Sequence, residues 1–510
     1  MNTMHQQHQR RGWQVRAGVL VAGALVAVAC SSGESILDAG LPPPDTVPVP
    51  PTAGPDGSVA TTIPATTTTT PLADLPPCPI EALEEASGTV ELTFWHGMNN
   101  ELEDALTELT NEYNAGQDKV RVTLQNQGGY NETIDKYFQS GPGGRPEIVQ
   151  MPEYMVQQTA DSDSTVPIGA CFEGTGFDDS AFLPRALNAY QTGGVQWSMP
   201  FNVSNPILYY NKKIFEDAGL DPEKPPQTLT ELRQYSKKIV DSGAARFGIA
   251  FDTGQDNGGG WFLEQWFSKG KELFADNANG RSAPATQVMY NNDFGVELLT
   301  EVQSLVADGL AVNVGANPSG QDSFLKLADQ EKPAAMTIGT SAALGTIKVV
   351  LDGGLIPGLT SDQFGIGPMP GPDEQPGVLV GGASLHIVAE QGDAEAAASW
   401  DYIQHLVTAE AQSFWASKTG YVPVRSDALD LQPLKKTYRD DPRFKVAYDQ
   451  LTASSDDPSS SGPVIGPLRE IRAVNSDAVS AIFGGADVAA TLEEAAAQSN
   501  RLIRNYNARN

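Results

Sequence analysis

Apolar and polar positions alternate along most of the chain with two distinct periods. Residues 90–95 and 120–124 are short runs rich in β-branched and aromatic side chains, which is typical of buried strands. Between them, residues 101–114 place apolar side chains on one face at helical spacing. Because a strand, a helix and a second strand follow one another, the pattern predicts parallel strands in a mixed α/β fold.

The same alternation continues to the end of the chain. Further strands are predicted at 147–151, 207–210, 334–338 and 384–388, and further helices at 230–242, 294–308, 394–407 and 486–505. Residues 365–367 are predicted as a loop. Glu153 follows the strand at 147–151, at the carboxyl end where open parallel sheets bind ligands. A chain of 510 residues exceeds one ordinary core, so we expect at least two lobes.

The start of the chain follows a different pattern. Three arginines precede an uncharged apolar run at 17–29, which ends at Cys30 and is too short to remain as a membrane-spanning helix. The Ala-Val-Ala-Cys sequence that ends at Cys30 resembles a bacterial lipobox, with Ala where Leu is usual. We therefore predict a signal peptide at 1–29 and a lipid on Cys30 that anchors the protein to the outer face of the cell membrane. The paired arginines leave the export route open.

A Pro- and Thr-rich segment follows the predicted lipid site. It contains almost no large apolar side chains, so it cannot bury enough surface to offset the entropy of ordering. Residues 30–77 are accordingly predicted to be a lipidated N-terminus and a disordered tether.

The charge and cysteine content of the chain limit the classes of partner and the disulfides that we expect. The chain has 33 Lys and Arg against 63 Asp and Glu, a net charge of −30, which disfavours nucleic acid and anionic lipid headgroups. Membrane contact is therefore expected only through the lipid anchor. If Cys30 carries the lipid, Cys78 and Cys171 are the remaining pair, and an oxidising compartment favours a disulfide between them. Two separate buried thiols are the alternative.

Several segments of the chain resemble one family of proteins. These segments are 94–98, 200–212, 218–222, 381–385 and 418–424. Their sequences and order resemble the extracellular solute-binding proteins of carbohydrate-class ABC importers, and within that class the proteins that bind glycerol 3-phosphate and glycerophosphodiesters. The resemblance runs from about residue 88 to about residue 505. It implies a periplasmic-binding-protein-like α/β fold, in which two lobes are joined by three hinge crossings and enclose the ligand in the cleft between them.

The resemblance also implies where the lobes divide. The crossings are expected near 198–205, near 335–340 and near Trp400. Lobe 1 would comprise 78–199 and 340–400, and lobe 2 would comprise 200–339 and 401–510.

The same resemblance implies a set of ligand contacts. The expected contacts are Tyr130, Glu153, Ser204, Trp261, Ser341, Gly382, Tyr421 and Arg472. Glu153 would accept hydrogen bonds from ligand hydroxyls, and the planar donors of Arg472 suit a phosphate. Arg469 is the rival cation on the same stretch. Gly258 stands where relatives that prefer glycerol 3-phosphate tend to carry an aromatic residue, which predicts room for a larger diester such as glycerophosphocholine.

Each of these residues also has a purely structural interpretation. Ser341 suits a helix N-cap, Ser204 suits a turn, Gly382 suits a tight turn before a strand, and Arg472 suits a surface salt bridge. Sequence alone does not choose between these roles and ligand binding.

Motifs of catalysis are missing from the sequence. It contains no His-Glu-x-x-His, Cys-x-x-Cys, Gly-x-Ser-x-Gly or phosphate-loop lysine motif, so we expect neither catalysis nor a metal nor a cofactor. The expected protein is a monomer that captures a small polar solute and delivers it to the permease subunits of an importer. A binder of di- or oligosaccharides and a secreted phosphodiester hydrolase are the alternatives.

Overall fold

A computed structural model of the chain describes residues 78–317, 320–374, 376–455 and 457–510. The predicted signal peptide, the lipid site at Cys30 and the tether lie outside the described residues. Within the described ranges, no helix is both long enough and apolar enough to cross a membrane.

The strands are β1 (Val90–His96), β2 (Val120–Asn126), β3 (Ile148–Pro152), β4 (Thr165–Val166), β5 (Gln191–Thr192), β6 (Val195–Gln196), β7 (Met199–Ser204), β8 (Pro206–Asn211), β9 (Phe247–Phe251), β10 (Ala311–Asn313), β11 (Ala334–Thr340), β12 (Phe364–Pro368) and β13 (Gly381–Val388).

The helices are α1 (Ala82–Glu85), α2 (Glu101–Gly116), α3 (Tyr130–Gln139), α4 (Val156–Ala160), α5 (Ile168–Thr175), α6 (Pro184–Ala189), α7 (Lys212–Asp217), α8 (Leu229–Ser242), α9 (Gly259–Lys269), α10 (Asp276–Gly280), α11 (Asp293–Ala307), α12 (Gln321–Leu325), α13 (Leu344–Asp352), α14 (Asp393–Leu406), α15 (Ala409–Thr419), α16 (Leu434–Asp440), α17 (Val446–Thr452), α18 (Leu468–Phe483) and α19 (Val488–Asn507). Short 3-10 helices lie at Glu153–Met155, Lys326–Ala328, Ser341–Ala343, Asp427–Asp430, Pro442–Lys445 and Pro458–Ser461.

The first sheet has the strand order β2-β1-β3-β13-β4, and β7 pairs with β13. As predicted, β1 and β2 are parallel and α2 lies between them in sequence. The apolar face of α2 is buried, and Tyr113 at its end donates a hydrogen bond of 2.5 Å to Asp401 of α14. The helical spacing therefore identified the side of α2 that packs against the lobe.

The second sheet has the order β10-β9-β11-β8-β12. Strands β9, β10 and β11 are parallel, whereas β8 runs antiparallel to both β11 and β12. Helix α8 packs against β9 and begins with a capping box, in which Thr228 and Glu231 each bond the backbone of the other. The two sheets with their helices are the two α/β lobes of a periplasmic-binding-protein-like fold.

The sheet pairing divides the chain differently from the predicted boundaries. Strand β7 belongs to the first sheet, so the first crossing falls at Asn205, between β7 and β8. Strand β12 pairs with β8 in the second sheet, although 340–400 was predicted to be lobe 1, and the predicted loop at 365–367 is part of this strand.

The third predicted crossing, near Trp400, also differs from the structure. Trp400 is buried inside α14 and packs against Phe172 and Phe177 on the side of the first sheet. Helix α15 continues on that side by packing against α2, whereas α17 packs against β8 and β12 of the second sheet. The return to the second sheet therefore comes after Thr419, the last residue of α15.

A disulfide joins Cys78, at the start of the described chain, to Cys171 in α5, with an S–S distance of 2.07 Å. It closes a sequence separation of 93 residues. In the chain-entropy model, closing a loop of that length stabilises the fold by roughly 4 to 5 kcal/mol.

Candidate functional site

A cavity of about 240 Å³ lies between elements of the two lobes. One wall comes from Glu153, which follows β3, and from α6; the others come from α9, α18 and the 3-10 helix Pro458–Ser461. Of the predicted contacts, Glu153 and Arg472 line this cavity. Its position at the carboxyl end of β3 agrees with the expectation for an α/β sheet.

Glu153, Glu264 and Arg472 form an ionic triad in the wall of the cavity. The Nε and Nη2 atoms of Arg472 donate to the two carboxylate oxygens of Glu264 at 2.7 and 2.8 Å. Arg472 Nη2 also lies 2.9 Å from Glu153 Oε1. Only 3% of Arg472 and 1% of Glu264 are exposed. Arg472 is therefore held by two carboxylates and is not a free cation.

Two glycines allow the triad to form. A Cβ atom on Gly259 would lie 2.6 Å from Val479 of α18, and one on Gly260 would lie 2.6 Å from the carbonyl oxygen of Arg472. Without side chains at these positions, α9 approaches α18 closely and brings Glu264 against Arg472.

The triad geometry shifts the pKa values of Glu153 and Arg472. Burial raises the pKa of Glu153 to about 7; the positive charge of Arg472 lowers it, and the negative charge of Glu264 raises it further. Burial lowers the pKa of Arg472, but Glu264 and Glu153 outweigh this effect and raise it above the usual range. The pKa of Glu153 therefore lies near neutral pH.

Tyr130, Asn202, Tyr421 and Gln150 form a second, uncharged group, the hydroxyl–amide cluster. Asn202 Nδ2 donates to the Tyr130 hydroxyl at 2.7 Å, and the hydroxyls of Tyr130 and Tyr421 lie 3.5 Å apart. Gln150 Nε2 donates to Asn202 Oδ1 at 2.9 Å. Burial raises the pKa of Tyr421, and the charge of Glu153 adds to this rise, which indicates that the cluster and the triad are neighbours.

Gly382, Ser204 and Trp261 lie beside this cluster. Gly382 has a φ of +93°, and a Cβ atom there would lie 1.9 Å from the carbonyl oxygen of Asn202. A Cβ atom on Gly381 would lie 2.6 Å from the Trp261 ring and 3.4 Å from Ser204 Oγ. The two glycines therefore let β13 pass close to the side chains around Asn202.

Ser341 lies at the first crossing rather than in the cavity wall. Its backbone N–H donates to the carbonyl of Asn205 at 2.9 Å, and its hydroxyl accepts from the Asn205 N–H at 3.3 Å. The capping role considered for Ser341 belongs to Thr340, which accepts from the N–H of Ala342.

Two sequence-based expectations about the site are corrected. A Cβ atom on Gly258 would lie 2.5 Å from the backbone nitrogen of Gly254 and 2.6 Å from Asp252 Oδ1, so the predicted open space at Gly258 is wrong. Arg469, the rival of Arg472, pairs with Asp135 of α3 at 2.6 Å instead of lining the cavity.

Sequence reasoning missed Glu264, Gln150 and Arg281. The sequence did give an indication of Glu264, because a lone carboxylate inside an otherwise largely apolar helix requires a buried partner. Gln150 carried a similar one, as a polar residue in a strand buried throughout. Arg281 also lines the cavity, but no motif in the sequence around it indicates a site residue.

Some buried polar atoms near the site have no hydrogen-bond partner among the described residues. They include the Tyr190 hydroxyl and Trp261 Nε1. Unpaired buried polar atoms of this kind are costly and rare in folded proteins. The described residues contain no group of three or more His, Cys, Asp or Glu side chains placed to hold a metal ion.

Comparison with known proteins gives consistent matches. The family model described as bacterial extracellular solute-binding protein matches residues 108–446. The sn-glycerol-3-phosphate-binding periplasmic protein UgpB of Escherichia coli is 26% identical over 432 residues, which cover 82% of this chain and 94% of that protein. UgpB of Pectobacterium atrosepticum is 26% identical over 432 residues, covering 82% and 93%.

Solved structures show the same fold. UgpB from Mycobacterium tuberculosis in complex with glycerophosphocholine superposes with a TM-score of 0.68 at 22% identity, covering 83% of this chain and 100% of that one. The cyclic alpha-maltosyl-1,6-maltose binding protein from Arthrobacter globiformis gives 0.66 at 22% identity, covering 82% and 100%. These matches confirm the predicted fold class and the resemblance from which it came.

Proposed function

Because the chain belongs to the family of bacterial extracellular solute-binding proteins, we propose that it is the substrate-binding subunit of an ABC importer. Its ligand is a glycerophosphodiester, such as glycerophosphocholine, or glycerol 3-phosphate. The protein is anchored through Cys30 to the outer face of the cell membrane, acts as a monomer without a cofactor, and passes the ligand to permease subunits. It binds its ligand and does not transform it.

The observation that carries the proposal is the polar lining between the lobes, in a chain whose relatives are named for binding sn-glycerol 3-phosphate. Glu153 supplies carboxylate oxygens for ligand hydroxyls, and the Nη1 group of Arg472 is not engaged by the carboxylates of the triad. The hydroxyls of Tyr130 and Tyr421 add groups that both donate and accept.

The proposed ligand contacts remain those expected from the family resemblance. They are Tyr130, Glu153, Ser204, Trp261, Ser341, Gly382, Tyr421 and Arg472. Rotation of the lobes about the crossings opens and closes the cavity around the ligand. Closure excludes water and strengthens the hydrogen bonds to these groups.

A second candidate is the capture of a di- or oligosaccharide. It is favoured by the uncharged hydroxyl–amide cluster beside the buried ring of Trp261, because sugars present hydroxyls and an apolar face. It is also favoured by the neutralisation of Arg472, since a sugar needs no free cation.

Calorimetric titration of the purified protein with glycerol 3-phosphate, glycerophosphocholine, maltose and trehalose separates the two candidates. We expect dissociation constants of micromolar order for one or both phosphate ligands and at least hundredfold weaker binding of the sugars. The reverse order would replace the first candidate by the second. Product analysis after incubation with the diester tests for hydrolysis, and a released alcohol would contradict a purely binding role.

A further inference from the structure

Two arginines that line the cavity donate hydrogen bonds across it in opposite directions. Arg185 of α6 donates from Nη1 to the carbonyl of Ser460 at 2.7 Å. Arg281, which follows α10, donates from Nη1 to the carbonyls of Asn188 at 2.8 Å and Gln191 at 3.5 Å. The segment around α6 is therefore bonded from both sides to the opposite wall of the cavity.

These walls belong to different lobes. Helix α6 packs against β7, which is paired in the first sheet. Helix α10 packs against the 3-10 helix Pro458–Ser461, which packs against α9, and α9 packs against α18 of the second lobe. When the lobes rotate apart, the bonds from Arg185 to Ser460 and from Arg281 to the α6 region must break.

The acceptors of these bonds are set by the backbone. Asn188 is the next-to-last residue of α6, and Ser460 is the next-to-last residue of its 3-10 helix. The last carbonyls of a helix have no partner within the helix, and arginine side chains commonly donate to them. Each lobe thus presents the end of a short helix to an arginine of the other lobe.

Arg281 is held in place by its own lobe. Its Nε donates to the carbonyl of Gly462 at 2.8 Å, and its Nη2 donates to the carbonyl of Ser461. The preceding Gly280 has a φ of +79°, and a Cβ atom there would lie 2.2 Å from the carbonyl oxygen of Val464, so the two segments pack closely. Because these contacts lie within the second lobe, opening of the lobes leaves Arg281 positioned to donate again on closure.

The bonds made by Arg281 are charge-assisted. Burial lowers the pKa of Arg281 to about 10, so the guanidinium stays protonated near neutral pH. A hydrogen bond from a charged donor is stronger than one between neutral groups, although opening replaces it by a bond to water and reduces its net contribution. The two bonds to the α6 region should therefore favour the closed lobes measurably.

We propose that Arg185 and Arg281, the inter-lobe arginine pair, stabilise the closed arrangement of the lobes and so raise the affinity for every ligand by a common factor. The inference rests on the proposed function, which requires the lobes to open and close. All atoms in these bonds belong to the protein, so their contribution does not depend on which ligand is bound. Apparent affinity is proportional to the population of the closed form, so loss of the bonds lowers both together.

The first test is calorimetry of the full chain with glycerol 3-phosphate and glycerophosphocholine, which differ in net charge. Arg281→Gln should weaken both by about tenfold, because two charge-assisted bonds across the cavity are lost, and Arg185→Gln should weaken both by about threefold. Arg443→Gln is the matched control, because Arg443 donates to the carbonyls of Ser361 and Phe364 within the second lobe. Its affinities should equal those of the wild type.

The second test measures the spacing of the lobes without any ligand. Spin labels are placed on Glu108→Cys in α2 and Lys237→Cys in α8, two exposed positions of different lobes. A Cys30→Ser background keeps the label off residue 30. Pulsed electron–electron double resonance then gives the fraction of molecules at the short, closed distance. This fraction should fall in Arg281→Gln by the same factor as the affinities and stay unchanged in Arg443→Gln.

The outcomes separate the inference from the proposed function. If Arg281→Gln weakens one ligand and not the other, Arg281 contacts the ligand directly and the inference is overturned. Distance distributions that are the same in wild type, Arg281→Gln and Arg185→Gln also overturn it. If the wild type binds neither ligand but the closed fraction falls in the variants, the proposed ligand fails and the inference stands. Should Arg281→Gln not fold, Arg185→Gln decides by the same two measurements.

Discussion

The ionic triad and the hydroxyl–amide cluster are neighbouring buried polar groups that are stabilised in different ways. The triad places two carboxylates on one guanidinium, with donor–acceptor distances of 2.7 to 2.9 Å. The cluster uses amides and hydroxyls, with one bond of 2.7 Å from Asn202 to Tyr130 and a long contact of 3.5 Å between Tyr130 and Tyr421. Each triad member depends on the charge of another, whereas the cluster members are uncharged and are held by hydrogen bonds. The triad should therefore respond strongly to lost charge and to pH, and the cluster only to lost hydrogen bonds.

The largest effect is expected from removing the cation of the triad. Arg472→Met leaves Glu153 and Glu264 buried without a counter-charge, so the free energy of unfolding at pH 8 should fall by about 3 kcal/mol. Urea denaturation measures this change. The control is Arg469→Met, three residues earlier on α18. The ion pair of Arg469 with Asp135 is partly exposed, so its loss should lower the free energy of unfolding by less than about 1 kcal/mol. Equal losses in the two variants would show that the triad is no stronger than a surface pair.

The next effect is the pH dependence of stability. Because the pKa of Glu153 is raised to about 7 in the folded protein from its ordinary 4.5, the folded state binds more protons between these values. The contribution of Glu153 is therefore fully present below pH 4.5 and is lost as the pH rises through 7, by about 3 kcal/mol in total. Glu153→Gln should remove this dependence, as measured by the difference between its unfolding free energy and that of the wild type at pH 5 and pH 8. A constant difference would contradict the raised pKa.

The smallest effects are expected in the hydroxyl–amide cluster. Asn202→Ala removes the donor to Tyr130 and the acceptor of Gln150, and should lower the free energy of unfolding by about 1.5 kcal/mol. Tyr421→Phe removes only the 3.5 Å contact, and should cost about 0.5 kcal/mol or less. Both losses should be the same at pH 5 and pH 8, because burial raises the pKa values of Tyr130 and Tyr421 further above this range. If either loss in the free energy of unfolding differed between pH 5 and pH 8, the stability of the cluster would depend on the protonation state of Glu153.

Local patterns predicted the elements that local sequence determines. The apolar face of α2 was found from its helical periodicity and the strand before Glu153 from its short apolar run, because burial leaves a trace in the local sequence of both elements. Strand β12 was missed because its fit is tertiary: a Cβ atom on Gly365 would lie 2.2 Å from the Tyr210 ring, and one on Gly367 would lie 2.6 Å from Pro225. In sequence these glycines resemble a loop, and only the side chains packed on them make a strand necessary.

The candidate site shows the same limit. The family resemblance led to Glu153 and Arg472, but Glu264 lies 208 residues from Arg472, and no spacing rule connects them. The partners of Arg281 are backbone carbonyls, which have no signature in sequence. The net charge of the cavity depends on these pairings, so only the folded structure shows it.

The bond between Cys78 and Cys171 also determines how a mechanical load enters the fold. Tension on the chain at Cys78 passes through a covalent link directly into α5, bypassing the segment that leads to β1. Strand β1, which is paired with both β2 and β3, is thereby shielded from being peeled out of the first sheet.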